Sequence, residues 1–289
     1  MNASDQLRFR AMVVHFNNPE SMAGTVAHLA QVGFGRERIV VYDNGSEASK
    51  REQAREACAA LGCEFVASAV NHGWGGAIND FLRSRGWQDD DLLLIAAHDA
   101  RILAIDFAEI EREFSRPERL FVSPCTVNDM EGLYSAARAF WFRKAAPDAV
   151  SEVQVGHATA CFARPSRLGE IGFDEEYFIY GCESEVFLRA NDAGYVTTML
   201  RSFVVDNAAT DSSSDFCTRA FAINSMYTAW KRHGLGGALQ RAGALAGSAL
   251  RLRLAGDSSG SRIKLAAALY GVTHPRVGLR TYLRQRGRG

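Results

Sequence analysis

Four short apolar runs punctuate the first hundred residues, and each ends in a cluster of polar, turn-forming side chains. The runs are Arg10 to Phe16, Arg38 to Tyr42, Glu64 to Ala67 and Leu92 to Ala97. Between them, Pro19 to Val32 places Met22, Val26, Leu29 and Val32 near helical spacing, and Ala48 to Leu61 does the same with Ala54, Ala57, Cys58 and Leu61. Short apolar runs alternating with amphipathic helices predict βαβ crossovers, hence an α/β fold with a mainly parallel, Rossmann-like central sheet flanked by helices. In an open parallel sheet ligands bind at the carboxyl ends of the strands. The polar clusters should therefore line one crevice.

Composition narrows the classes further. A chain of 289 residues, 47% hydrophobic and 23% charged, has room for one large α/β domain or two small ones, and excludes disordered or fibrous structure. The 33 basic and 33 acidic residues cancel, which argues against a nucleic-acid binder. The balance is uneven along the chain. From Lys231 onward twelve Lys or Arg face a single acid, Asp257. This predicts two regions with different jobs, a main domain over residues 1–233 and a basic, amphipathic helical tail over 234–289. The six cysteines form no C-x-x-C pair, and the first residues lack the basic-then-apolar plan of a signal peptide. Both point to a reducing, cytoplasmic setting. Arg241, Arg251 and Arg253 interrupt the most apolar stretch of the tail, so no window is suited to spanning a bilayer.

After Asp99 the pattern changes. Leu120 to Val127, Ala137 to Arg143 and Val155 to Ala163 read as strands of a mixed region. A helix should begin near Glu183 and run to Asp192, and another should run from Asp215 to His233.

Four clusters have chemical potential. Asp43-Asn44-Gly45-Ser46 sets a carboxylate, an amide and a hydroxyl at a strand end, able to bind a nucleoside or simply to form a turn and helix cap. Asn71-His72-Gly73-Trp74-Gly75-Gly76-Ala77-Ile78-Asn79 is a glycine-rich turn entering a helix. Its amides suit a phosphate, or its glycines suit close packing, but the G-x-G-x-x-G register fails at Ile78. His98-Asp99 presents a carboxylate at the mouth of a buried strand, as a divalent-cation ligand or a cap. The segment Gly172 to Glu185 combines an aromatic wall with Glu183 and Glu185 in a first helical turn. A carboxylate beside an apolar wall suits a general base, and an acidic first turn is also ordinary helix chemistry.

Taken in order, Val-Val-Tyr-Asp-Asn-Gly-Ser, Asn-His-Gly-Trp-Gly-Gly-Ala-Ile-Asn, Leu-Leu-Leu-Ile-Ala-Ala-His-Asp and Gly-Phe-Asp-Glu-Glu-Tyr-Phe-Ile-Tyr-Gly-Cys-Glu-Ser-Glu, followed by Arg189 and Ala193-Gly194-Tyr195, resemble the family 2 glycosyltransferases. The likeness leans to the branch that includes rhamnosyltransferases and other enzymes of cell-surface polysaccharide assembly, and it covers residues 10 to about 233. It implies a GT-A fold, a nucleotide-diphosphate sugar donor, a glycan or lipid-linked acceptor, and inversion at the anomeric carbon. On that resemblance Asn17, Asp43, Asn71, Gly73, Trp74, Asn79 and Asp99 bind the donor. Glu183 is the catalytic base, and Glu185 and Arg189 meet the acceptor or the diphosphate. Mg²⁺ or Mn²⁺ would be held by Asp99 and Asp206.

Three positions depart from the family pattern. Ala97 stands at the first carboxylate of the Asp-x-Asp metal motif, Cys182-Glu183 replaces the usual Glu-Asp pair, and Asp206 stands where the family often has His. Ala97 and the missing His favour a second class of function, a sugar-nucleotide or glycan-binding module without turnover. A nucleotidyltransferase is disfavoured, because Phe16-Asn17-Asn18-Pro19 lacks the glycines and lysine that hold a triphosphate. In the tail, Leu235, Leu239, Ala242, Leu245 and Ala249 share a helical stripe among arginines, which suits an anionic membrane surface on the inner face of the cell membrane or a helix packed on the domain.

Overall fold

The computed structural model describes residues 9–126, 132–135, 141–144, 151–157, 159–206 and 214–287. The elements β1 (Phe9–His15), α1 (Pro19–Gln31), β2 (Ile39–Asn44), α2 (Ala48–Leu61), β3 (Glu64–Ser68), α3 (Gly73–Arg83) and β4 (Leu92–Ala97) follow the expected alternation. Local chemistry sets their ends. Asn18 accepts from Ser21 N at 3.2 Å and Pro19 occupies the first turn, which starts α1. α2 stops at Gly62, in the left-handed region at φ 74°.

β1 pairs in parallel with both β2 and β4, and β2 with β3. The period-2 alternation of these strands feeds two cores. Ala11, Val13, Ile39, Val41, Leu92 and Leu94 pack with α1 and α2, whereas Met12, Val14, Val40, Tyr42, Leu93 and Ile95 pack with α3 on the opposite face. Burial on both faces is why the runs read as nearly continuous apolar sequence.

The sheet then becomes mixed. It continues through β5 (Arg101–Ala104), α4 (Phe107–Phe114) and β6 (Arg119–Thr126), while β7 (Gly132–Ser135) and β8 (Trp141–Lys144) form a separate two-stranded ladder. Next come β9 (Ser151–Val153), β10 (Ala160–Ala163), α5 (Pro165–Ile171), α6 (Cys182–Asp192) and β11 (Val196–Asp206). The sheet order is β3-β2-β1-β4-β10-β6-β11-β5, with β9 on β11. β10 runs antiparallel to β4 and β6, β11 parallel to β6, and β5 antiparallel to β11.

Several expectations change here. Of the strand expected over 155–163 only the end forms, as β10; β9 precedes the expected range, and Gly156 between the two packs on Ser123. Residues 127 and 137–140 of two further expected strands lie outside the described residues. The helix expected over Asp215 to His233 does end at Gly234 (φ 63°, ψ −154°), a non-helical conformation open to glycine, and a second helical stretch runs on to Leu254, the two together forming the kinked α7 (Asp215–Leu254). α8 (Ser258–Thr273) folds back on it, and α9 (Leu279–Gln285) follows. These three helices form a third core of Ile223, Met226, Leu245, Ala267, Leu279 and Tyr282, with Phe178, Ile179 and Tyr180 packed against it. Among the described residues no helix is long and apolar enough to cross a membrane.

Candidate functional site

The carboxyl ends of β1, β2 and β4 meet the start of α3 and the segment leading into α6. The β1–β2 side is a closed hydrogen-bond network. His15 and Asp43 are fully buried. His15 Nε2 accepts from Asn18 N at 3.2 Å, so its proton sits on Nδ1, which donates to Asp43 Oδ1 at 2.8 Å. Arg51 Nε donates to Asp43 Oδ2 at 3.0 Å. Burial drives the Asp43 carboxyl upward, but bonds from His15 and Ser46 outweigh it and hold it below the usual carboxylate range.

The remaining donor-side residues named from sequence are also engaged. Asn17 sits at φ 53°, donates from its backbone to Ser46 Oγ at 2.9 Å and accepts from Glu47 N at 2.8 Å. Asn44 donates to Asn71 Oδ1 at 3.1 Å and accepts from His72 N at 2.9 Å, while Asn71 accepts from Gly73 N at 2.8 Å. Gly73 is at φ 75°, and a Cβ there would collide with the Phe178 carbonyl. Asn79 accepts from Phe173 N at 2.7 Å and donates to Phe173 O at 2.9 Å, tying α3 to the other wall.

That wall is strained and over-determined. Phe178 (φ 60°) and Tyr180 (φ 61°) both occupy the left-handed region, which costs roughly 1–3 kcal/mol each. The buried Asn224 of α7 holds them there. Its Nδ2 lies 3.0 Å from Tyr177 O, 2.8 Å from Ile179 O and 2.6 Å from Tyr180 O. Its Oδ1 accepts from Leu279 N at 3.0 Å. On the crevice side Trp74 N donates to Phe178 O at 2.7 Å. Asn224 carries no sequence signal of its own, since nothing in the pattern of an apolar helix marks it.

The wall delivers Glu183 to the first turn of α6. The half-exposed Glu183 lines a narrow cleft with Trp74, Ile95, Cys161 and Phe173. The Cys182 thiol donates to Glu183 Oε2 at 3.2 Å. The Tyr180 hydroxyl, 2.8 Å from Cys217 Sγ, is pushed upward in pKa by burial first, then by its bond with that thiol, and further by the negative charges of Glu183 and Asp99. Tyr180 thus feels both carboxylates. No described residue pairs with Asp99, which follows β4 in the turn where Thr25 Oγ1 donates to the carbonyls of His98 and Ala100.

Glu185 and Arg189 are placed differently from the crevice carboxylates. Glu185 is 1% exposed and lies 2.6 Å from Lys231 Nζ and 2.8 Å from Arg189 Nε. Arg189 also donates to the carbonyls of Ile171 and Gly172, and Lys231 reaches Asp174 at 2.7 Å. This cluster braces α6 against α7 from behind. A separate surface hollow, lined by Asp89, Leu92, Glu111, Phe114 and Arg164, opens at the amino end of β4, away from Asp99.

The same arrangement of sheet and helices recurs in solved structures. Mannosyltransferase PcManGT from Pyrobaculum calidifontis, in complex with GDP-Man and Mn²⁺, is 16% identical over 92% of this chain and 87% of that chain, with a TM-score of 0.62. The fold is GT-A. S. aureus TarS 1-349, in complex with UDP-GlcNAc, is 14% identical over 92% of each chain, with a TM-score of 0.52. No family model matches the sequence, and no curated protein matches it by sequence.

The Mn²⁺ of PcManGT raises the question of a cation here. Among the described residues no three His, Cys, Asp or Glu side chains converge. Ala97 supplies no ligand, and Asp206, opposite Arg101 in the β5–β11 register, has its carboxylate 3.5 Å from the Arg101 guanidinium. The described residues as they stand do not form a divalent-cation site.

Proposed function

We propose that this chain is an inverting family 2 glycosyltransferase of the branch that includes rhamnosyltransferases. It moves a hexosyl or deoxyhexosyl unit from a nucleotide-diphosphate sugar to a hydroxyl of a glycan or lipid-linked acceptor in cell-surface polysaccharide synthesis. The observation that carries the reading is the contrast within a GT-A crevice. Asp43, Asn44, Asn71 and Asn79 are held by protein partners, whereas the partly buried Asp99, after β4, and Glu183, in the first turn of α6, have no ion pair among the described residues.

In this reading Glu183 takes the proton of the acceptor hydroxyl as the oxygen attacks the anomeric carbon, opposite the departing nucleotide. The bond to the diphosphate oxygen breaks as the new glycosidic bond forms. Asp99 accepts from hydroxyls of the donor, and the Asp43 network shapes the nucleoside pocket. Trp74 forms the apolar wall that keeps water from Glu183. Arg101, 57% exposed, is the cation within the crevice rim that can turn from Asp206 to the diphosphate. In family members a divalent cation supplies that charge stabilisation, and the proposal routes no step through one here.

The test is Glu183→Gln. Transfer should fall by roughly 10²–10⁴ while donor affinity and melting temperature stay unchanged, read as nucleoside diphosphate release and calorimetric binding on the same preparation. Turnover that survives the change would remove Glu183 as base. Ala97 and the Arg101–Asp206 pair favour a second reading, a non-catalytic sugar-nucleotide binder. Binding without release across donors and acceptors would select it.

A further inference from the structure

α7 beyond its kink is apolar on two adjoining faces. One face, with Ala238 and Leu245, packs in the third core with Ala267 and Ala268 of α8, and Ala249 on the same side is buried. The other meets solvent and carries Leu235, Leu239, Leu250 and Leu254, exposed by 60, 52, 60 and 80%. At about 100° per residue these four fall within an arc of about 100°. Gly243, Ala246 and Gly247 lie on the same exposed side and add no polar group. α8 repeats the arrangement one helix over, with Leu265 and Leu269 exposed by 47 and 69%. Four exposed leucines within one arc of α7 exceed the scattered apolar residues of an ordinary surface.

Most charges around this face are basic. Arg251, Arg253 and Arg262 are exposed. The single acid of the tail, Asp257, caps α8 by accepting from Gly260 N at 2.8 Å. A second copy of the chain is a poor occupant, because a self-complementary contact would set arginine against arginine. An anionic lipid surface satisfies both features, since acyl chains take the leucines and phosphate headgroups take the guanidinium groups.

We infer that the α7–α8 hairpin is a docking face that lies in the headgroup layer of an anionic bilayer, leucines inward. The hairpin is joined to the crevice through α9. Arg280 donates to the His72 carbonyl and pairs with Glu175 at 3.3 Å, and Glu176 accepts from Gly278 N and Thr281 N. Docking therefore holds the crevice wall at a set height above the bilayer, within reach of a lipid-linked hydroxyl. The docking face stands independently of the transferase reading, because vesicle binding is measured without substrate.

The experiment is co-sedimentation of the full chain with vesicles of equal parts phosphatidylglycerol and phosphatidylcholine, against phosphatidylcholine alone. The chain should sediment with the anionic vesicles only, and added salt should release it. Leu239→Gln with Leu250→Gln and Leu254→Gln should weaken binding at least about tenfold at unchanged melting temperature, because these side chains face solvent. Arg251→Gln with Arg253→Gln should weaken it by a comparable factor, about fivefold per charge. Three results would overturn the inference: no binding to anionic vesicles, binding that the leucine variant leaves intact, or a solution dimer that the leucine variant dissociates.

Discussion

The two walls of the crevice use polar residues in opposite ways. At the ends of β1 and β2, His15, Asp43, Asn44 and Ser46 are buried and bonded to one another or to Arg51 and the start of α3. At the end of β4 and the start of α6, Asp99 and Glu183 are only partly buried, and Glu183 lines a cleft. The first wall is polar because a buried polar group must find partners, so its residues set shape and stability. The second keeps carboxylates available to a ligand, and its strain at Phe178 and Tyr180 is carried by Asn224. Residue type alone does not separate these roles, and partners do.

The largest break in this comparison is Asp43→Ala. It leaves the fully buried His15 facing no acceptor and Arg51 unpaired, and should destabilise the fold by about 3–5 kcal/mol in chemical denaturation. Asn224→Ala is expected to cost about 2–3 kcal/mol, since it strips a shared donor from three carbonyls and the acceptor of Leu279 N. It should also lower turnover more than donor affinity, because the segment it holds delivers Glu183. Asp99→Asn has the reverse profile. Donor binding should weaken by about tenfold, the loss of one charged hydrogen bond, with a stability change within about 0.5 kcal/mol.

The smallest effect is in pH. Asp43 and Asp174 are both held below the ordinary carboxylate range, Asp43 against burial by His15 and Ser46 and Asp174 against burial by Lys231. Groups depressed in this way stabilise the fold above the unfolded value near 4 and lose that contribution as pH falls through the folded value. Melting temperature should decline below about pH 4, and less steeply in Asp43→Asn.

How far the sequence could foresee this depends on what kind of information each part needs. β1, β2 and β4 were legible because both faces are buried, which writes the strands as apolar runs. The start of α6 was legible through its acidic first turn. The short β5, α4 and α5 were not, because elements of four to eight residues carry too few turns of any period. The site was legible as a set of positions, but not as a division of labour. Asp206 meets Arg101 only through the β5–β11 register, and Arg280 reaches His72 across most of the chain. Glu185 looked available in an acidic turn, yet Lys231 and Arg189 enclose it. Hydrophobic period reveals which face is buried; it does not reveal which polar group will be waiting there.

The central claim is that this GT-A crevice turns over a sugar nucleotide. The direct measurement is nucleoside diphosphate release by the purified full chain from a panel of UDP-, dTDP- and GDP-sugars, with lipid-linked and free glycan acceptors, with and without added Mn²⁺ or Mg²⁺. Release should occur from one nucleotide family, depend on acceptor and yield a product of inverted anomeric configuration by NMR. Tight donor binding with no release under any combination, or a product of retained configuration, would contradict it.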